Sequence, residues 1–186
     1  MPYHFLFCYA FWLCTELYLN RYARSSKGDR HIDNDNTLTL LWVCIVSVVV
    51  IGVLLSFYTN IVIFQNSKYS NIGLILMLSG ITFRLLAVKQ LGAYFTVDVA
   101  IRQNHKLLQT GLYAVLRHPS YTGLLITILG FGISLNNYIS LILIFLTAFL
   151  AFNNRIIIEE GILLSQFGDE YIQYKSKTKR LFPFIY

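Results

Sequence analysis

Apolar residues dominate five stretches of the chain, and polar residues are concentrated between them. The five stretches cover approximately residues 3–20, 38–60, 71–91, 119–135 and 138–154. A helix needs roughly 20 residues to cross the apolar core of a bilayer, and the stretches are close to that length. The pattern therefore predicts an all-α integral membrane protein with about five transmembrane helices.

The last two stretches lie within one uncharged run, residues 118–154. A single helix over this run would be about 55 Å long, which exceeds the thickness of a bilayer. Small and amide side chains near the middle of the run favour a turn: Gly130, Gly132, Ser134, Asn136 and Asn137. We therefore expect the fourth and fifth helices to form a tight hairpin.

The composition agrees with lipid as the solvent. Of the 186 residues, 56% are hydrophobic and only 13% are charged, and the mean hydropathy is +0.58. A typical soluble domain has about a quarter charged residues, so an ordinary water-soluble enzyme is excluded. We expect residues 1–186 to form a single membrane domain.

The basic residues are distributed unevenly between the predicted loops. A five-span topology places fourteen of the fifteen Lys and Arg residues on one side of the membrane, counting Arg84 and Lys89 in the nearer half of the third stretch, with Lys68 alone on the other side. The positive-inside rule makes the basic side cytosolic, so we expect the N-terminus outside and the C-terminus inside. Topology and lipid headgroups account for the net charge of +6, and no nucleic-acid partner is predicted.

Two predicted cytosolic segments, residues 98–121 and 155–174, contain most of the side chains capable of chemistry. In the first, Pro119 disfavours helix at His118 and suits the first turn of a helix. The start of the fourth span therefore falls at His118, and its backbone N–H groups could bind an anion together with Arg117.

In the second segment, Arg155 and Glu159 are four residues apart and share one helical face. Gly168 is expected to end this helix, and Asp169 to cap a short helix that follows. An Arg–Glu pair at the end of a span is also typical of an interfacial anchor, so the residues alone leave a non-enzymatic membrane subunit or permease open. The cysteines lack the spacing of a metal site, and none is predicted.

An ordered set of motifs runs through both segments. It consists of Gly111-Leu-Tyr113, Arg117-His-Pro-Ser-Tyr-Thr-Gly123, Arg155, Glu159-Glu160, Phe167-Gly168, Tyr171, Tyr174 and Arg180-Leu-Phe-Pro183. This set resembles the isoprenylcysteine carboxyl methyltransferase family, in the form of its compact prokaryotic-type members. The resemblance covers approximately residues 84–183. The sequence departs from the commonest bacterial form of the motif at Leu112 and Ala114.

The resemblance implies a membrane methyltransferase that uses S-adenosylmethionine and methylates the carboxylate of an isoprenylcysteine-like or other lipophilic acceptor arriving from the bilayer. The cofactor would lie between the loop before the fourth span and the C-terminal helices. By resemblance, the cofactor-binding residues would be His105, Lys106, Leu107, Leu108, Tyr113, His118, Pro119, Ser120, Tyr121 and Glu159. Arg155 would face the carboxylate of the substrate, and the bacterial cytoplasmic membrane is the expected location.

The proposed reaction is consistent with these residue types. A carboxylate is already ionised at neutral pH, so methyl transfer to it needs positioning rather than a general base. The guanidinium of Arg155 can hold a carboxylate through two hydrogen bonds. An alternative is methylation of a phospholipid amine, which would require a base, with Glu160 or His118 as the candidate catalytic group.

Overall fold

The computed structural model describes residues 3–23, 30–31, 36–66, 69–98, 100–101 and 106–183. Six helices account for most of this part of the chain. They are α1 (Tyr3–Tyr22), α2 (Asn36–Tyr58), α3 (Ser70–Leu91), α4 (Pro119–Ser134), α5 (Tyr138–Phe167) and α6 (Asp169–Lys177). Helices therefore begin close to the starts of all five predicted apolar stretches.

Within the described residues, three helical segments are long and apolar enough to cross a membrane: Thr37–Tyr58, Ser70–Tyr94 and Tyr138–Phe167. Helix α4 is apolar but has only 16 residues. Helix α5 has 30 residues, so the fifth predicted span continues without a break into the segment that contains Arg155 and Glu159. The structure thus supports a helical membrane protein, and a count of five crossings remains a prediction.

Helices α3 and α4 pack closely because glycines face each other at their contact. A Cβ atom added at Gly80 would lie 2.5 Å from the backbone nitrogen of Thr127, and one at Gly130 would lie 2.4 Å from that of Met77. Small residues that bring helix backbones together are typical of membrane interfaces. This contact fixes the position of the first turn of α4 relative to α3.

The predicted hairpin between α4 and α5 is present, but its turn is shorter than expected and lies at Leu135–Asn137. Asn136 adopts a positive φ of 53°, and the side chain of Asn137 accepts a hydrogen bond from the backbone of Ser140 at the start of α5. The expectation that Gly130 and Gly132 belong to the turn was wrong. Both are helical, and their lack of a side chain serves helix packing against Met77 and Leu141.

Gly168 separates α5 from α6, as predicted. Its φ is +50°, a left-handed conformation that glycine adopts without steric cost. The predicted capping role of Asp169 was wrong, because Gly168 itself occupies the N-cap position and Asp169 lies in the first turn of α6. In that position, the negative charge of Asp169 interacts favourably with the dipole of α6.

Two short pairings supplement the helices. Strand β1 (Arg30–His31) pairs antiparallel with β2 (Ala100–Ile101), a feature that the all-α prediction did not include. After α6, the chain runs beside the loop that precedes α4, with a parallel bridge between Leu116 and Lys179. The segment after α6 is therefore held against the start of α4.

Candidate functional site

A cavity opens beside the first turn of α4, where α2, α3 and α5 meet the loop segments before α4. Its empty volume is about 910 Å³ when the open solvent at its mouth is counted. Aromatic rings and charged groups share its wall with aliphatic side chains. Its aromatic and polar lining residues are Trp42, Arg84, Tyr94, Phe95, Thr96, Asp98, Tyr113, Arg117, His118, Ser120, Tyr121, Phe152, Arg155 and Glu159.

The sequence around Pro119 produces the part of the wall that α4 contributes. Pro119 occupies the first turn of α4, and His118 is the N-cap residue, as the sequence predicts. The ring of His118 is buried, and its centroid lies 5.9 Å from that of Tyr121. Tyr121 in turn packs against Phe152 of α5, with 5.5 Å between ring centroids. This short motif therefore places an imidazole and a phenol together at the cavity.

Arg155 enters the cavity wall from α5, where 4% of its surface is exposed. Its guanidinium donates hydrogen bonds to Thr37 Oγ1 of α2 and, over 3.1 Å, to the backbone oxygen of Val97. These two contacts hold both terminal nitrogens of the guanidinium, Nη1 and Nη2. The geometry keeps a guanidinium oriented at the cavity, which is suitable for holding an anionic group.

Glu159 and Glu160 are adjacent on α5 but have different surroundings. Glu159 lines the cavity, and its side chain is 34% exposed. Glu160 is not among the lining residues and is buried, with Oε1 2.8 Å from Arg117 Nε and Oε2 2.9 Å from Arg180 Nη2. Glu160 therefore has the contacts of a structural ion-pair centre rather than those of a base facing a substrate.

Backbone hydrogen bonds hold the segment after α6 against the loop before α4. The backbone nitrogen of Arg117 donates to Lys179 O over 2.8 Å, and that of His118 donates to Arg180 O over 3.2 Å. Thr122 Oγ1 also donates to Leu181 O over 2.7 Å. Together with the ion pairs of Glu160, these bonds position His118 from behind the cavity.

Tyr113 and Tyr174 connect the same loop to α3 and α6. The hydroxyl of Tyr113 donates to Ala87 O over 3.3 Å, and that of Tyr174 donates to Tyr113 O over 2.7 Å. Burial raises the pKa of both phenols well above the ordinary value of 10.0. Both tyrosines therefore stay neutral at physiological pH and can act as hydrogen-bond donors.

The structure brings together six of the residues that the sequence assigned to the site: Tyr113, His118, Ser120, Tyr121, Arg155 and Glu159. Pro119, Glu160, Lys106, Leu107 and Leu108 are not among the lining residues. His105, the remaining predicted cofactor-binding residue, lies outside the described residues. The assignment of a role to each of these residues remains a prediction.

Arg84 and Asp98 also line the cavity, although neither was predicted from the sequence as a site residue. Arg84 forms a buried ion pair with Glu16 of α1. A signal for this pair was present, because each of the two residues is an isolated charge within an apolar helix. A charge in such a position generally requires a partner on a neighbouring helix.

Comparison with known proteins identifies isoprenylcysteine methyltransferases as relatives of this chain. The family model of the isoprenylcysteine carboxyl methyltransferase (ICMT) family matches residues 73–165, half of the chain. The chain is 38% identical over 133 residues to the protein-S-isoprenylcysteine O-methyltransferase of Schizosaccharomyces pombe, covering 70% of this chain and 56% of the relative. It is 35% identical over 137 residues to protein-S-isoprenylcysteine O-methyltransferase B of Arabidopsis thaliana, covering 70% of each.

A solved structure, that of the eukaryotic intramembrane Ras methyltransferase ICMT without a monobody, is also similar. Its TM-score is 0.64 at 30% sequence identity, and the match covers 83% of this chain and 55% of that one. The chain thus spans little more than half the length of the fission yeast relative and of the solved structure. The relatives named here are eukaryotic, so they do not support the expected bacterial location.

Proposed function

This chain belongs to the isoprenylcysteine carboxyl methyltransferase family, and from that premise we propose that it transfers a methyl group from S-adenosylmethionine to a carboxylate on a lipophilic, isoprenylcysteine-like acceptor. The observation that carries the proposal is the cavity at the start of α4. Its wall brings together Tyr121, Arg155 and Glu159, all from the part of the chain that the family model matches.

The donor set of the cavity suits the proposed cofactor. S-adenosylmethionine has an aromatic base, an amino acid portion with both charges, and a sulfonium. Tyr113 and Tyr121 offer aromatic faces, which attract cations as well as rings, and Asp98 and Glu159 offer carboxylate acceptors. We therefore assign cofactor binding to Tyr113, His118, Ser120, Tyr121 and Glu159, and a contribution from His105–Leu108 remains part of the prediction.

Arg155 is proposed to hold the carboxylate of the acceptor. When bound, the cofactor supplies an activated methyl group, so the protein has to provide alignment more than covalent chemistry. Thr37 and Val97 fix the guanidinium of Arg155, and Phe152 and Leu124 give the neighbouring wall an apolar surface. A fixed guanidinium beside an apolar wall fits an acceptor with an anionic end and a lipophilic body.

Methylation of a phospholipid amine is less well supported. It would require a base, and Glu160, one of the two candidates, is bound by Arg117 and Arg180 away from the cavity wall. The relatives in fission yeast and Arabidopsis are both named O-methyltransferases. A carboxylate acceptor is therefore the better-supported substrate class.

We propose that the chain crosses the membrane five times, with its N-terminus outside and the cavity near the cytosolic surface. The helical segments that are long and apolar enough to span, and the similarity to an intramembrane methyltransferase, support an integral membrane protein. The uneven distribution of basic residues supports the orientation.

The role of Arg155 is tested by its replacement with Lys. Arg155→Lys keeps the charge but loses the planar two-point contact, so we expect the KM for a prenylcysteine mimic to rise by about tenfold or more. The Kd of S-adenosylhomocysteine should change by less than about threefold. Arg21→Lys, at the exposed end of α1, is the matched control and should change neither constant. Equal losses of acceptor and cofactor affinity in Arg155→Lys would refute the assignment.

A further inference from the structure

A buried carboxylate of α1 lies behind the wall of the cavity. Glu16 is 4% exposed and Arg84 is 6% exposed. The two side chains form a two-point ion pair, with 2.8 Å between Arg84 Nε and Glu16 Oε1 and 2.9 Å between Arg84 Nη2 and Glu16 Oε2. Glu16 lies outside residues 73–165, the range that the family model matches. Helix α1, which precedes the matched region, thus contributes a negative charge next to the cavity.

Arg84 links this carboxylate to the first turn of α4. Arg84 lines the cavity, and its Nη1 donates a hydrogen bond of 2.7 Å to Ser120 Oγ. The N-terminus of a helix carries a partial positive charge, which disfavours a buried cation beside it. The carboxylate of Glu16 offsets that disadvantage and fixes the direction of the guanidinium.

A second arginine in the wall has an equivalent carboxylate behind it. Arg84, Arg117 and Arg155 are the arginines among the described lining residues. Arg117 is paired with Glu160, which is buried outside the lining and is shared with Arg180, whereas Glu16 is paired with Arg84. Two carboxylates that do not line the cavity therefore reduce the positive potential that its wall would otherwise have.

We propose that Glu16 is a positioning residue that sets the charge selectivity of the cavity. By pairing with Arg84, it would allow the cavity to accept a ligand that carries a positively charged sulfonium. The inference rests on the proposed function, because it takes S-adenosylmethionine as the ligand. S-adenosylmethionine and S-adenosylhomocysteine differ by one methyl group and one positive charge. A cavity whose potential depends on Glu16 responds to that difference, whereas general damage to the fold affects both ligands alike.

The test is the ratio of the two dissociation constants, measured by calorimetry on the full chain in detergent. In Glu16→Gln the charge of Arg84 is no longer balanced, and we expect binding of S-adenosylmethionine to weaken by about tenfold, as one uncompensated charge at close range implies. Binding of S-adenosylhomocysteine should weaken by less than about threefold. Glu170→Gln, a neutralisation on the exposed surface of α6, is the matched control and should leave the ratio unchanged.

Two further variants separate charge from folding. Glu16→Asp retains the carboxylate and should keep the ratio close to that of the unaltered chain. The double variant Glu16→Gln/Arg84→Gln removes both charges and should restore the ratio even if both affinities fall. An unchanged ratio in Glu16→Gln, or an altered ratio that the double variant does not restore, overturns the inference and leaves the proposed function intact. Absence of saturable binding of either ligand to the unaltered chain overturns the proposed function and this inference together.

Discussion

Glu159 and Glu160 are adjacent in the sequence, but their side chains have different surroundings in the folded chain. Successive helical residues point in directions about 100° apart, so only one of the two can face the cavity. The sequence predicts the pair but cannot distinguish its members, because the ion pairs of Glu160 depend on Arg117 and on Arg180, which comes from the segment after α6. A contact between distant segments leaves no local pattern to detect.

Neutralising Glu160 should lower the stability of the fold, whereas neutralising Glu159 should lower the affinity for the cofactor. Glu160→Gln breaks a buried ion-pair centre, a change that typically costs about 3–5 kcal/mol, so we expect a clear fall in the melting temperature in detergent. Glu159→Gln removes the negative charge and one of the two acceptor oxygens proposed to bind the cofactor, so the Kd of S-adenosylhomocysteine should rise by about tenfold or more with little change in melting temperature.

Each variant serves as the control for the other, because the substitution is chemically the same and the positions are adjacent. If Glu159→Gln destabilises the protein as much as Glu160→Gln and leaves ligand affinity unchanged, the assignment of the two residues is wrong.

At the scale of elements, the helices follow from the sequence but their contacts do not. The apolar stretches and Pro119 predict where helices occur and where α4 begins. The same reasoning misassigned Gly130 to a turn, because a glycine in an apolar run is compatible with either a turn or a close helix contact. The second role is evident from the packing, since a Cβ atom added at Gly130 would lie only 2.4 Å from Met77 N. This packing role of Gly130 can be recognised only when the position of α3 is known.

The contact between α3 and α4 is tested by adding one methyl group. Gly130→Ala would place a Cβ atom against the backbone of α3, and overpacking of this kind typically costs about 1–3 kcal/mol. Gly161→Ala is the matched control, since a Cβ at that helical position of α5 meets nothing within 4 Å. We expect Gly130→Ala to lower the melting temperature and Gly161→Ala to maintain or raise it. Equal melting temperatures for the two variants would exclude a tight α3–α4 contact.

At the scale of the whole molecule, the cavity combines a part that the sequence identifies with a part that only the fold supplies. Six predicted residues line it, among them His118 and Arg155, because the motifs that contain them are compact and ordered. Arg84 joins them because α3 packs along α4, and Glu16 of α1 lies behind the wall, paired with Arg84. The first helix is also held to α4 by a hydrogen bond of 2.7 Å between Tyr9 and Ser134.

Helices α1 and α2, which lie outside the family-matched region, thus contribute polar contacts to residues that line the cavity. Helix α2 contributes Thr37 to the fixing of Arg155, and α1 contributes the carboxylate that pairs with Arg84. Sequence patterns indicate that such helices exist. Their polar contacts are specific to the three-dimensional arrangement and become visible only with the structure.

Carboxyl methylation by this chain can be tested by following the transfer of a labelled methyl group. The purified chain in detergent is incubated with S-adenosylmethionine labelled in its methyl group and with a prenylcysteine mimic, and the product is then treated with mild base. A methyl ester hydrolyses under these conditions and an N-methyl group does not. We predict labelled product that loses its label in base and is not formed when the carboxylate of the mimic is replaced by an amide. A base-stable product, or no transfer by a chain that binds the cofactor saturably, would rule out carboxyl methylation.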